Sequence, residues 1–76
     1  MSGAKIIDAR GSFCPGPLME LIAAMKLAEV GEALEVLSTD KGSANDIPEW
    51  IAKVGHQMVG SFEEGGVYHI QVRKMK

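Results

Sequence analysis

The sequence predicts an α/β fold of two layers, a four-stranded mixed sheet with two helices on one face, in the order β-α-β-α-β-β and as one domain over residues 1–76. Three observations predict it. Hydrophobic residues make up 46% of the 76, enough apolar surface for one interface between two layers but not for a third layer. The apolar pattern switches twice from short branched runs to helical spacing, then ends in two alternating runs. A single cysteine rules out an internal disulfide, so a chain of this size depends on regular packing.

Taken in order, "KIIDA" at residues 5–9 is a short branched run that stops at Arg10-Gly11-Ser12, a first strand closed by a loop. Leu18, Leu21, Ile22, Met25 and Ala28 fall three and four apart and put one stripe on a helix over 17–30, ending near Gly31. "ALEVLST" at 33–39 is the second strand, with Leu34 and Val36 on one face and Glu35 on the other. Ile47, Trp50, Ile51 and Val54 form the stripe of a second helix that ends at Gly55, with Trp50 expected in the core. Its start has two readings. Ser43 followed by Asp46 resembles a capping box, but Pro48 would then remove a hydrogen bond inside the helix, so either the helix kinks or its regular part begins near Pro48.

Met58, Gly60 and Phe62 alternate with polar or smaller residues, Glu63-Glu64-Gly65-Gly66 makes a turn, and Tyr68, Ile70 and Val72 alternate again. This is a hairpin. A β-α-β unit in one sheet is right-handed with parallel strands. The face without helices is expected to be partly wet, carrying Glu35, His69, Gln71 and Arg73.

Charge and length narrow the function classes. Eight basic against ten acidic side chains give a formal charge of −2, which provides no broad cationic face for a phosphate backbone. The basic segment "VRKMK" is expected only to solvate a strand end. The N-terminus lacks the apolar region of a signal peptide and no segment approaches the ~20 apolar residues of a membrane span. A lone cysteine fits a reducing cytoplasm.

That cysteine, Cys14, stands in "RGSFCPGPLMEL" at residues 10–21, where a proline-flanked turn opens into a helix. With Cys14 at the N-cap, Pro15 and Pro17 fall in the first turn, where backbone N–H groups have no intrahelical partner. The prolines stiffen the entry, and the unpaired N–H groups with the positive end of the dipole favour a thiolate, below the free-thiol pKa of about 8.5. A lone cysteine is commonly a small core hydrophobe; the glycines and serine around this one argue for exposure. Without a second cysteine there is no dithiol cycle within the chain. A cysteine hydrolase needs a histidine base, and His56 and His69 read as ordinary strand residues. No metal-ligand spacing is present. What remains is a thiol that acts between molecules.

"IIDARGSFCPGPLMEL" resembles the signature of the TusA-like, or SirA-like, sulfur carriers, with Asp8, Gly11, Cys14, Pro15 and Pro17 matching it in order and spacing. "NDIPEW" at 45–50 resembles the family's second-helix segment, and the element order is also the family's. The resemblance implies that Cys14 holds a sulfane sulfur as a persulfide, received from a cysteine desulfurase or rhodanese and passed to an acceptor protein. That relay serves tRNA thiolation, cofactor biosynthesis or sulfur oxidation. It implies a carrier, expected to be monomeric, with no substrate pocket or cofactor of its own. Arg10 and Lys41 are candidates for supporting the sulfur anion, and Phe13 and Met19 for partner docking. Two other classes stay open. A small RNA-binding α/β module is disfavoured by the acidic balance and the lack of an aromatic platform, and a thiol redox sensor would form a sulfenic acid on the same residue.

Overall fold

The computed structural model describes residues 5–13 and 15–76, so Cys14 lies outside the described residues. The elements are β1 (Lys5–Asp8), α1 (Gly16–Leu27), β2 (Ala33–Ser38), α2 (Lys41–Val54), β3 (Gln57–Glu64) and β4 (Val67–Arg73). Alternation decides their faces. Ile7 of β1, Leu34 and Val36 of β2, and Ile70 and Val72 of β4 point to one side and form a single core with Leu21 and Met25 of α1 and Ile47 and Ile51 of α2. Both helices therefore cover one face of the sheet, as the composition requires.

The sheet order is β1-β2-β4-β3. β1 runs parallel to β2, with Ile7 opposite Val36, and β4 runs antiparallel to both β2 and β3. The other face carries Glu35, His69 and Gln71 as expected, but they are bound to one another and half-buried. Glu35 accepts from Gln71 Nε2 at 2.9 Å and lies 2.7 Å from His69 Nδ1. Those two hydrogen bonds, His69 first, lower the Glu35 pKa. Phe62 stacks flat on His69 with ring centroids 4.5 Å apart.

Several boundaries differ from the sequence reading, each for a local reason. α1 ends at Leu27 and not at 30, because Ala28 turns extended (ψ 157°) and packs into the core. Gly31, at φ +93°, forms the turn into β2, not the helix cap. α2 begins at Lys41, before either start considered above. The Asp40 carboxylate caps it, with its Oδ2 accepting from the Ser43 N–H at 3.1 Å and the Ser43 hydroxyl at 2.9 Å. Pro48 is inside the helix and leaves the Ala44 carbonyl without its helical donor.

The hairpin turn is Gly65-Gly66, both at positive φ, so Glu63 and Glu64 belong to β3. A bulge at Val59 breaks the β3 alternation: Met58 opposes Val72, but Gly60 opposes Gln71. Met58 packs on the core while Phe62 falls on the helix-free face, 48% exposed. Trp50 is half-buried at the edge of the core. The segment after β4 is tied down and does more than solvate a strand end: Gly31 donates to the Lys74 carbonyl, the Lys74 N–H donates to the Glu32 carbonyl, and Lys74 Nζ donates to the Ala28 carbonyl. No helix among the described residues is long and apolar enough to cross a membrane.

Candidate functional site

The loop from β1 to α1 is built by backbone hydrogen bonds to β2 and within itself. Ala9 N–H reaches the Leu37 carbonyl at 2.9 Å and extends the parallel pairing past the end of β1, burying Ala9. Ser12 N–H then bonds back to the Ala9 carbonyl at 3.1 Å. Gly11 is the third residue of that turn, and its φ of +87° is what a type II turn demands there, a value that other residues rarely adopt. The Gly11 N–H points across to Thr39 and donates to its Oγ1 at 3.1 Å. This bond joins the loops at the carboxyl ends of β1 and β2, the end of an open α/β sheet where ligands bind.

Beyond Ser12 the chain turns again, with Gly16 N–H donating to the Phe13 carbonyl at 2.6 Å. A Cβ on Gly16 would sit 3.2 Å from Ser12 Cβ, so the two arms of the loop pass close together where a glycine stands. The first helical bond runs from Met19 N–H to the Pro15 carbonyl at 2.8 Å, which makes Pro15 the cap residue and puts Pro17 in the second helical position. The helix thus starts one residue later than a cap at 14 would give. Pro15 and Pro17 carry no N–H and that of Gly16 is used by Phe13. The first turn therefore has few donors to offer an anion, and its positive end acts chiefly as a dipole.

The side chains sort clearly. Pro17 is buried against the core and Pro15 is exposed. Phe13 is 77% exposed and Met19 58%, so the loop end and the first turns of α1 each carry one large uncovered apolar side chain. Asp8 and Arg10 form a two-pronged ion pair. Arg10 Nε reaches Oδ1 and Nη2 reaches Oδ2, each at 2.8 Å, while the Arg10 backbone N–H also donates to Oδ1. These hydrogen bonds from Arg10 lower the Asp8 pKa to about 2, and the Arg10 pKa is raised in return.

Arg10 is thus engaged with Asp8. Lys41 is the exposed first residue of α2, just past the Thr39 and Asp40 positions of the neighbouring loop. The topology brings Asp8, Arg10, Gly11, Pro15, Pro17 and Lys41 to one end of the sheet. His56 lies at the opposite end, after the α2 C-cap, whereas His69 stands in the same cross-strand row as Asp8, two strands away through Leu37, and is bound to Glu35. Thr39 was missed by the sequence reading, although the right-handed β-α-β crossover, which sets the two loops side by side, is the signal that points to it. A cavity of about 260 Å³ lies away from this loop, between Ala44 and the hairpin residues Phe62, Tyr68 and Ile70.

Residues 5–74, from β1 past the end of β4, match the family model described as sulfurtransferase TusA. The chain belongs to the TusA family. It is 55% identical over 71 residues to a putative sulfur carrier protein of Archaeoglobus fulgidus, covering 93% of this chain and 97% of the relative. It is 37% identical over 68 residues to the sulfur carrier protein TusA of Pseudomonas entomophila, with 90% and 85% covered. The crystal structure of a SirA-like protein from Desulfitobacterium hafniense superposes with a TM-score of 0.81 at 25% identity, covering 93% of this chain and 97% of that one. The TusA-family match includes the whole loop with Asp8, Gly11, Pro15 and Pro17.

Proposed function

We propose that this protein carries a sulfane sulfur as a persulfide on Cys14 and passes it from a donor protein, a cysteine desulfurase or rhodanese, to an acceptor protein. One observation carries the reading: the segment on either side of position 14 is anchored through Gly11 to Thr39 and through Pro15 to α1, while Phe13 beside it is left uncovered. Anchored flanks and an uncovered apolar side chain beside them suit a thiol that must meet a partner's sulfur in line.

In the loading step the Cys14 thiolate attacks the outer sulfur of the donor persulfide. A new S–S bond forms to Cys14, the old S–S bond breaks, and the donor leaves as a thiolate that takes up a proton. Unloading repeats this on the acceptor. No net oxidation occurs, so no cofactor is required. The acceptor belongs to tRNA thiolation, cofactor biosynthesis or sulfur oxidation. A reducing cytoplasm keeps the single thiol available between cycles, and a monomer leaves Phe13 and Met19 open to both partners in turn.

Incubation with a cysteine desulfurase and cysteine should add the mass of one sulfur atom to the intact protein, removable by a thiol reductant. The Cys14→Ser variant should gain none. Equal labelling of the variant would overturn the reading, and a gain of oxygen in place of sulfur would favour the redox sensor.

A further inference from the structure

At the end of the molecule opposite the Cys14 loop, a cavity of about 220 Å³ opens between the carboxyl-terminal halves of the helices and the segment after β4. Ile22 and Met25 of α1 line it on one side, and the rings of Trp50 and His56 on the other, 6.0 Å apart and tilted by 45°. Lys26, Lys74 and Lys76 complete the lining. The walls are apolar and aromatic, and the charged side chains on them are all lysines.

Lysines near helix carboxyl ends ordinarily offset the dipole, and Lys74 does so in part by donating to the Ala28 carbonyl. Three ammonium groups nonetheless exceed that need. Among the described residues no carboxylate lies within 4.0 Å of any of them. Lys76 folds back over the Cα of Gly55, where an added Cβ would lie 2.9 Å from its Cε and Nζ, which holds its charge close to the cavity. His56 reports the resulting field: burial first, then the charges of Lys74 and Lys76, lower its pKa. Its Nδ1 accepts from the Met75 N–H at 3.0 Å, so the neutral ring carries its proton on Nε2.

The geometry points to a binding site for a small organic anion, a carboxylate or phosphate carried on a flat apolar body, with the ring system against Trp50, His56 and Met25 and the anion among Lys26, Lys74 and Lys76. The volume suits one or two fused rings, and the two ends of such a ligand match the two kinds of lining. This site is separate from the thiol loop and stands whether or not Cys14 carries sulfur.

Trp50 is the only tryptophan in the chain, so its indole N–H gives one resolved signal in a ¹H–¹⁵N spectrum. Titration of the full chain with 1-naphthoate and with 1-naphthyl phosphate, to about 5 mM, covers the range of weak ligands. Saturable shifts of the Trp50 indole and the Met75 amide are expected, together with a rise in the His56 pKa. The naphthoate and naphthyl phosphate arms tell which anion is preferred. The Lys26→Gln/Lys76→Gln variant, altered only at exposed side chains, should bind about five- to tenfold more weakly. The proposal is overturned if neither compound shifts these signals. It is equally overturned if neutral 1-naphthylmethanol binds as well as the anions, if inorganic phosphate alone produces the same shifts, or if the lysine variant binds like the parent.

Discussion

Asp8 shows how one side chain shapes the loop that follows it. Its carboxylate holds the Arg10 backbone N–H as well as the guanidinium, so the second residue of the turn, just before Gly11, is fixed from outside it. The pairing has a sign that can be checked. Asp8 has a folded pKa of about 2 against its usual 3.8, so its contribution to stability is complete above pH 3.8 and is lost as pH falls through the folded value. The carboxyl ¹³C signal of Asp8 should titrate near 2 in the parent and move up toward 3.8 in Arg10→Gln, with the loop amide of Gly11 shifting in the same variant. An unmoved Asp8 titration would show that Arg10 is not its source. Both partners are about half exposed, so the effect on global stability is small and the local reading is the informative one.

Within the elements, α1 and its entry were largely legible in the sequence and the cap was not. The stripe through Leu21 and Met25 has helical spacing that any register of the cap preserves, whereas the cap itself depends on which carbonyl of the entry turn accepts the first helical bond, here that of Pro15 from Met19 N–H. Spacing carries no information on that choice. For α2, the cap lay in Asp40, outside the two starts that Pro48 drew attention to, because a favourable Asp-Ser cap upstream outweighs one missing bond at the proline. In β3 an even alternation through Met58, Gly60 and Phe62 concealed the bulge, which moves Phe62 to the opposite face without changing the letters of the pattern. At the candidate site, residues joined by short-range turn chemistry were readable, but Thr39 reaches Gly11 from a separate loop.

The element-scale prediction concerns Pro15. Pro17 is buried, so its replacement confounds packing with presentation, whereas Pro15 is exposed and its carbonyl accepts the first bond of α1 whatever its side chain. Pro15→Ala should stay folded by circular dichroism and react with a small alkylating agent at the parental rate. Its sulfur exchange with a protein partner should slow, because alanine frees φ at the helix entry. Parental exchange kinetics in a folded Pro15→Ala variant would reduce the proline to a helix-start signal.

On the scale of the whole molecule, one core serves both ends. Ile47 is fully buried between α2 and the sheet, and its contacts belong to the cluster that also holds Leu34 and Ile70. In a domain of this size, with total stability of about 5–15 kcal/mol, Ile47→Ala should cost about 2–5 kcal/mol in urea denaturation. A loss well under 1 kcal/mol would mean that the helix layer is not packed as described. Helix starts gather at the end that holds the β1–α1 loop and helix ends at the lysine-lined end, so the two helix dipoles run the same way and the lysines oppose their negative ends.

The position of β4 in the sheet also bears on how the chain is made. It is the last of the six elements in chain order, yet it lies between β2 and β3 and supplies hydrogen bonds to both. A nascent chain that has emerged only as far as β3 holds two strands whose inner edges have no neighbour, with the core still lacking Ile70 and Val72. Folding therefore waits for residues 67–73 to clear the ribosome, and until they do, those open edges are available to any other extended chain. Mutations that slow the closing of the Gly65-Gly66 turn should be felt first in the yield of soluble protein during synthesis, before any effect on the finished molecule.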